Sequence, residues 1–256
     1  MKYEDFDFKI PTESADYKEA SCFVISSIEE IIKEAIETGK NKIIINTNLK
    51  NGLPMENINK IAGPFVEAWA GELFESIALD ENNKWSLVHS EACSRLGMAD
   101  IILQFKKEST FGSVISANVD SKATAEDLEK SGKSPNITSF ARIRTAYVED
   151  ADFMFVILSL KHKVFCQKNR ETNLMDGVME VVKYNAYDIK YISDSDLSYN
   201  PALGTGQIQI KDIHYVSTVD RTTWEFCQLL DSKYLTSSKR SIEDWKQLAI
   251  SYKWIK

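Results

Sequence analysis

Val114-Ile115-Ser116-Ala117-Asn118-Val119-Asp120-Ser121-Lys122 is the stretch whose reading decides the fold. Taken with a period of two, Ile115, Ala117 and Val119 share one face, and Asn118, Asp120 and Lys122 share the other. This is a strand ending in an acid and an amine that point into the same space. Burying such a pair is costly unless each group has a partner. A cation and a phosphate are natural partners, and a second acid on a neighbouring strand would complete a metal site. Asp100 supplies that acid. In Met98–Phe105 (MADIILQF), Ala99, Ile101, Leu103 and Phe105 alternate with Asp100 on the opposite face. The polar turn Lys106–Gly112 then lets the two strands pair as a hairpin.

Outward from this hairpin, the chain reads as helices, a sheet, then helices. Phe23, Ile25, Ile28, Ile31, Ile32, Ala35 and Ile36 form a helical stripe within Ala20–Thr38, closed by Gly39. Ile43–Ile45 is a short strand, and Asn51-Gly52 is a turn. A second helical pattern spans Asn57–Leu79, with Phe65, Val66, Trp69, Leu73, Phe74 and Ile77 as its apolar positions and Pro64 expected to break or restart it. Trp85–Val88 opens the sheet.

Ala123–Ser134 reads as a loop, or as a short helix and loop, and Asn136–Val148 as a helix carrying Arg142 and Arg144. Phe153–Leu160 is a buried strand, and residues 166–206 are expected to be irregular. Gln207–Val216 alternates again, with Ile208 and Ile210 opposite Gln207, Gln209 and Lys211. Thr222–Tyr234 and Ser241–Tyr252 close the chain as helices, the second capped by Ser241. The fold class is therefore α/β, in its α+β form, with a mixed central sheet flanked by helices. It is read as a single domain over 1–256, its N-terminal helical part being 1–56.

Composition sets bounds on function. A chain of 256 residues, 43% hydrophobic, can bury a core of its own. Cys22, Cys93, Cys166 and Cys227 are scattered without a C-x-x-C pair, which suits reduced thiols and no zinc site. His89, His162 and His214 are isolated, so chemistry based on a histidine triad or cluster is not expected. The opening MKYEDFDFKI has no apolar signal core, and no apolar run approaches the roughly 20 residues that span a bilayer. A cytoplasmic protein with no membrane partner is expected. The net charge of −7 argues against a non-specific coat on nucleic acid, yet it leaves room for a specific binder with a carboxylate-rich metal site.

Hydrolysing a phosphodiester needs an in-line water, relief of charge on the phosphate and help for the leaving 3′ oxygen. Mg²⁺ held by carboxylates meets much of this need, and a lysine beside it can orient or deprotonate the water. Asp100, Asp120 and Lys122 suit those roles, with the Ser121 carbonyl as a further oxygen ligand. A lone D-x-K is often only a surface ion pair. Here the weight comes from its combination with A-D-I on the preceding strand and an acidic helix upstream.

That combination, Gly71-Glu72-Leu73-Phe74-Glu75, then Asp100, then Asp120-Ser121-Lys122, resembles the PD-(D/E)xK nuclease superfamily. Ala99 replaces the usual proline, and Ser121 stands where an apolar residue is common; neither change removes a catalytic group. Across most of residues 60–235 the chain is similar to the HincII- and EcoRV-like, blunt-cutting branch of type II restriction endonucleases. The A-D-I around Asp100, Ser131-Gly132-Lys133-Ser134-Pro135-Asn136-Ile137 and Gln207-Ile208-Gln209 recur there in the same order.

The resemblance implies a Mg²⁺-dependent homodimer that hydrolyses a palindromic double-stranded DNA at its centre. Residues 1–56 would contribute to dimerisation, and 57–256 would form the catalytic and recognition part. It further implies catalysis by Asp100, Asp120, Lys122 and a helix acid, Glu75 in preference to Glu72, with metal held by Asp100, Asp120 and Ser121. DNA contacts would come from Lys130, Lys133, Asn136, Arg142, Gly204, Thr205, Gly206, Gln207 and Gln209, with Arg144 as a further phosphate candidate. Read as residues alone, Gly204–Gly206 can be only a tight turn, and Gln207 and Gln209 only a wet strand face. Arg142 and Arg144 can be structural ion-pair partners. A repair or recombination nuclease on the same core, and a DNA-binding module without chemistry, are the alternative functions.

Overall fold

The protein is a computed structural model, described at every residue except Met1, Pro54, Arg95, Leu96 and 107–113, and without the side chains of 55–57. In chain order its elements are α1 (Tyr17–Glu37), β1 (Lys42–Ile45), α2 (Met55–Ala78), β2 (Leu87–Ala92), β3 (Ile101–Lys106), β4 (Val114–Ala125) and β5 (Asn136–Ser139). There follow α3 (Phe140–Glu149), β6 (Met154–Lys168), β7 (Met175–Asp188), β8 (Leu197–Asn200), β9 (Gln207–Ile210), α4 (Thr223–Leu235) and α5 (Ile242–Ser251). They belong to two compact units, one of residues 22–132 and 156–187, the other of 1–21, 133–155 and 188–256.

The first unit carries a six-stranded sheet in the order β1-β7-β6-β4-β3-β2. β3 and β4 pair antiparallel from Ile101↔Val119 to Lys106↔Val114, as the expected hairpin requires. Apart from Lys106, which ends β3, the turn expected to join them lies outside the described residues. Leu103, Phe105, Ala117 and Val119 are buried on the strands. α2 packs against β2 and β4. Its buried residues, Ile58, Ala62, Val66, Ala70 and Phe74, recur every fourth position and make one apolar stripe.

The second unit is built on a three-stranded sheet, β5-β9-β8, both of whose ladders are antiparallel. α3, α4 and α5 bring together Phe140, Tyr234 and Trp245, and Trp254, beyond the end of α5, packs with them. Arg144 lies fully buried among them and pairs with Asp231 at 3.1 Å, while Tyr3 and Trp245 donate to the same carboxylate at 2.7 and 3.0 Å. Its guanidinium also stands over Trp224 and Trp254, 5.7 and 5.2 Å from the ring centres. Arg144 is therefore a core residue and not a phosphate contact. α4 and α5 both open on capping boxes, Thr222 with Glu225 and Ser241 with Asp244.

Four expectations are corrected. Pro64 neither breaks nor restarts α2, which runs through it as one helix. Pro64 lies on the exposed side, where the amide hydrogen bond it cannot make is least missed. Residues 136–139 form a strand before helix α3: Ile137 and Thr138 are buried, and Asn136, Thr138 and Ser139 pair with β9. The region 166–206 is not irregular: β7 runs for 14 residues between β1 and β6. Its buried Val178, Met179 and Val181 are masked in the sequence by Asp176, Gly177 and Glu180. Finally, β9 stops at Ile210, and the Lys211 backbone N–H donates to the Asp196 carbonyl at 2.8 Å.

Candidate active site

The site forms where Asp120–Lys122, within β4, meet the residue preceding β3; β4 runs on to Ala125, beyond the Lys122 at which the sequence reading ended it. The ladder leaves Asp100 beyond Ile101, its backbone N–H donating to the Val119 carbonyl at 2.9 Å. From there the Asp100 carboxylate accepts the Ser121 backbone N–H at 2.8 Å, so this acid is tied to the D-S-K segment itself. Lys122 Nζ lies 2.8 Å from Asp120 Oδ1 and 2.7 Å from Oδ2, and 3.5 Å from the Ser121 carbonyl oxygen. The acid and the amine thus share one space, as the period-2 reading of the strand requires.

Asp120 is buried, at 4% exposure, whereas Asp100 is exposed. Burial pushes the Asp120 carboxyl up to about 7; Lys122 opposes the rise, and the nearby charges of Asp100 and Glu67 add to it. Glu67 on α2 is raised as well, first by burial and then by Asp100, against Lys122 and the Ala123 backbone N–H. The site therefore contains three mutually repelling carboxylates and a single ammonium.

Glu67 is the residue that the sequence reading missed. Glu72 and Glu75 are exposed on the wall of an open cleft of about 510 Å³, which is also lined by Glu67, Gly71, Glu91 and Asp100. The charge of Asp100 acts on Glu67, and that of Glu67 on Asp120. The signal that could have found Glu67 is Gly71, one turn further along α2. A Cβ there would meet Ile101 Cδ1 at 3.9 Å, so this face of α2 lies against the start of β3.

The donor set suits a hard divalent cation. Asp100 and Asp120 offer carboxylate oxygens and Ser121 a carbonyl. Asp120 Oδ2 is buried and, although close to the ammonium, accepts no well-angled hydrogen bond. Among the described residues no group of three His, Cys, Asp or Glu side chains could hold a metal by itself. A magnesium-type ion is commonly held by one or two carboxylates, with water and substrate phosphate completing its shell.

The residues expected to touch DNA fall into two groups. Lys130 is exposed in the turn that follows β4. In the second unit, Lys133 is exposed but ion-paired with Asp212, and Arg142 is exposed on α3. Asn136 and Gln209 face each other across the β5–β9 ladder, where Gln209 Nε2 donates to Asn136 Oδ1 and to the Ser134 carbonyl, each at 3.0 Å. Gly204 and Gly206 adopt positive φ of 51° and 89°. Thr205 Oγ1 lies 2.9 Å from Ser139 Oγ. Gln207 and Gln209 are half-buried while Ile208 and Ile210 are buried, so the alternation read from the sequence holds through β9.

Comparison with known proteins gives three similarities. The model of the family described as type II restriction endonuclease HpaI matches residues 4–253. The type II restriction enzyme HpaI of Haemophilus parainfluenzae is 59% identical over 256 residues, covering 100% of both chains. Among solved structures, an NlaIV restriction endonuclease is similar at 11% identity with a TM-score of 0.45, over 88% of this chain and 84% of that one.

Proposed function

The chain belongs to the HpaI family of type II restriction endonucleases, and from this premise we propose that Asp100, Asp120 and Lys122 hydrolyse double-stranded DNA with Mg²⁺. The observation that carries the reading is the Asp100–Ser121–Asp120–Lys122 cluster on β4 and before β3. Asp100 and Asp120 would hold the ion, with the Ser121 carbonyl as a third protein oxygen. When bound, the ion supplies positive charge at the phosphate and a more acidic water.

The remaining work belongs to side chains. Lys122 Nζ, held by Asp120, orients the attacking water along the line of the scissile bond and takes part in moving its proton. The water oxygen forms a bond to phosphorus as the bond to the 3′ oxygen breaks. Glu67 adds negative charge beside Asp100 and so strengthens the site's preference for a divalent cation. Recognition is assigned to Asn136, Gly204, Thr205, Gly206, Gln207 and Gln209, whose amides and backbone groups can read base edges. Lys130, Lys133 and Arg142 are assigned to phosphates. A homodimer cutting a palindrome at its centre follows from the same reading.

The test is a plasmid digest with the wild type, Asp120→Ala and Lys122→Ala, with Mg²⁺ and with chelator. Discrete fragments that disappear with chelator and in both variants are expected. Metal-independent cutting, or an Asp120→Ala enzyme of full activity, would overturn the assignment.

A further inference from the structure

The turn 201–206 between β8 and β9 should be loose by composition, since Gly204 and Gly206 both hold positive φ. It is held instead by a residue from another part of the chain. Arg240, in the connection between α4 and α5, donates from its Nη2 to the Gly204 carbonyl at 2.7 Å and to the Pro201 carbonyl at 3.2 Å. Its Nε donates to the Tyr199 hydroxyl at 2.8 Å, and that hydroxyl donates in turn to the Thr205 carbonyl, also at 2.8 Å. The guanidinium carbon lies 5.4 and 6.0 Å from the ring centres of Tyr234 and Tyr199. The Tyr199 ring fills the space beside Gly206, where an added Cβ would come within 2.2 Å of it.

Only a planar, forked cation satisfies this arrangement. A lysine ammonium is a point charge and cannot reproduce the fork that reaches two carbonyls and a hydroxyl at once. The fork fixes three of the turn's backbone carbonyls, two directly and one through Tyr199. It therefore also fixes which backbone groups the turn leaves outward and the angle at which β9 begins.

We propose that Arg240 is a positioning residue for base readout, holding the 201–206 turn in the single conformation that reads the target. The inference rests on the reading of this turn and β9 as the base-contacting segment. It assigns Arg240 to selectivity and not to phosphate binding, because its Nε and Nη2 donors are committed to Tyr199, Pro201 and Gly204.

The experiment compares wild type, Arg240→Lys, Arg240→Gln and Gln209→Ala. For each, kcat/KM is measured on a duplex carrying the site mapped from a plasmid digest, and on the same duplex with one base pair changed. Circular dichroism confirms folding, and the ratio of the two rates is read within each preparation. Both Arg240 variants are expected to lower that ratio by about ten- to a hundredfold, the range of one well-made base contact. A phosphate contact would survive in Arg240→Lys, and a purely structural role would slow both duplexes equally; an unchanged ratio in both Arg240 variants overturns the proposal. If Gln209→Ala then still shifts the ratio, the base-reading segment stands without Arg240. If it does not, the reading of the segment fails as well.

Discussion

Glu67 and Glu75 are the same residue type on one helix and differ in where α2 places them. The position of Glu67 brings it within electrostatic range of Asp100 and Asp120, while Glu75 stays exposed on the cleft wall. Glu67→Gln should therefore lower the cleavage rate by about 10- to 100-fold, as loss of a supporting carboxylate at a metal site does. Glu75→Gln should change it little, and single-turnover cleavage at saturating Mg²⁺ tells the two apart. The strand residues Asp100, Asp120 and Lys122 were legible because a period of two is local and leaves each side chain one possible direction. The helix acid was not, because Glu67, Glu72 and Glu75 are chemically alike and only the rotation of α2 against the sheet chooses between them. His162 makes a second prediction at this scale. It is buried at 2% exposure, neither ring nitrogen finds a hydrogen-bond partner, and burial lowers its pKa despite the opposing pull of Asp127. The unfolded chain then binds a proton more readily than the folded one, so stability should be lost as pH falls through the ordinary histidine range near 6.5. The loss is at most about 1.4 kcal/mol per pH unit, and His162→Leu should remove this part of the slope in urea titrations at pH 7 and 5.

At the scale of elements, the fold was legible wherever one face of an element is apolar and the other wet. β3, β4, β9 and the two closing helices meet that condition, and so does α2 despite Pro64. β7 does not, because strands on both sides satisfy its backbone and let it carry Asp176, Gly177 and Glu180 among buried neighbours. α3 shows the opposite error: Arg144 was weighed as a phosphate contact because of its charge. Its spacing was the better guide, since it follows Phe140 by four positions and precedes Tyr147 by three, on the buried face of the helix. Arg144→Met should destabilise the protein by about 3–5 kcal/mol, the cost of leaving the buried Asp231 carboxylate without its partner. The midpoint of urea unfolding measures this. DNA selectivity in whatever fraction remains folded should be unaltered.

For the whole molecule, the net charge of −7 and a DNA substrate are reconciled by distribution, with carboxylates gathered around the cleft and Lys130, Lys133 and Arg142 exposed elsewhere. The proposed palindromic target calls for two copies, so sedimentation equilibrium should return twice the chain mass of 29.1 kDa, free or on DNA. A single-chain mass in both conditions would exclude two-fold recognition. The hydrogen bond between Gln209 and Asn136 joins positions 73 apart in sequence, and it constrains how such an enzyme can change its target over generations. Under the proposed readout, altering one amide removes the partner that orients the other toward the bases. Drift at either position alone therefore passes through a poorer enzyme, and a new preference is reached most easily when both codons change together.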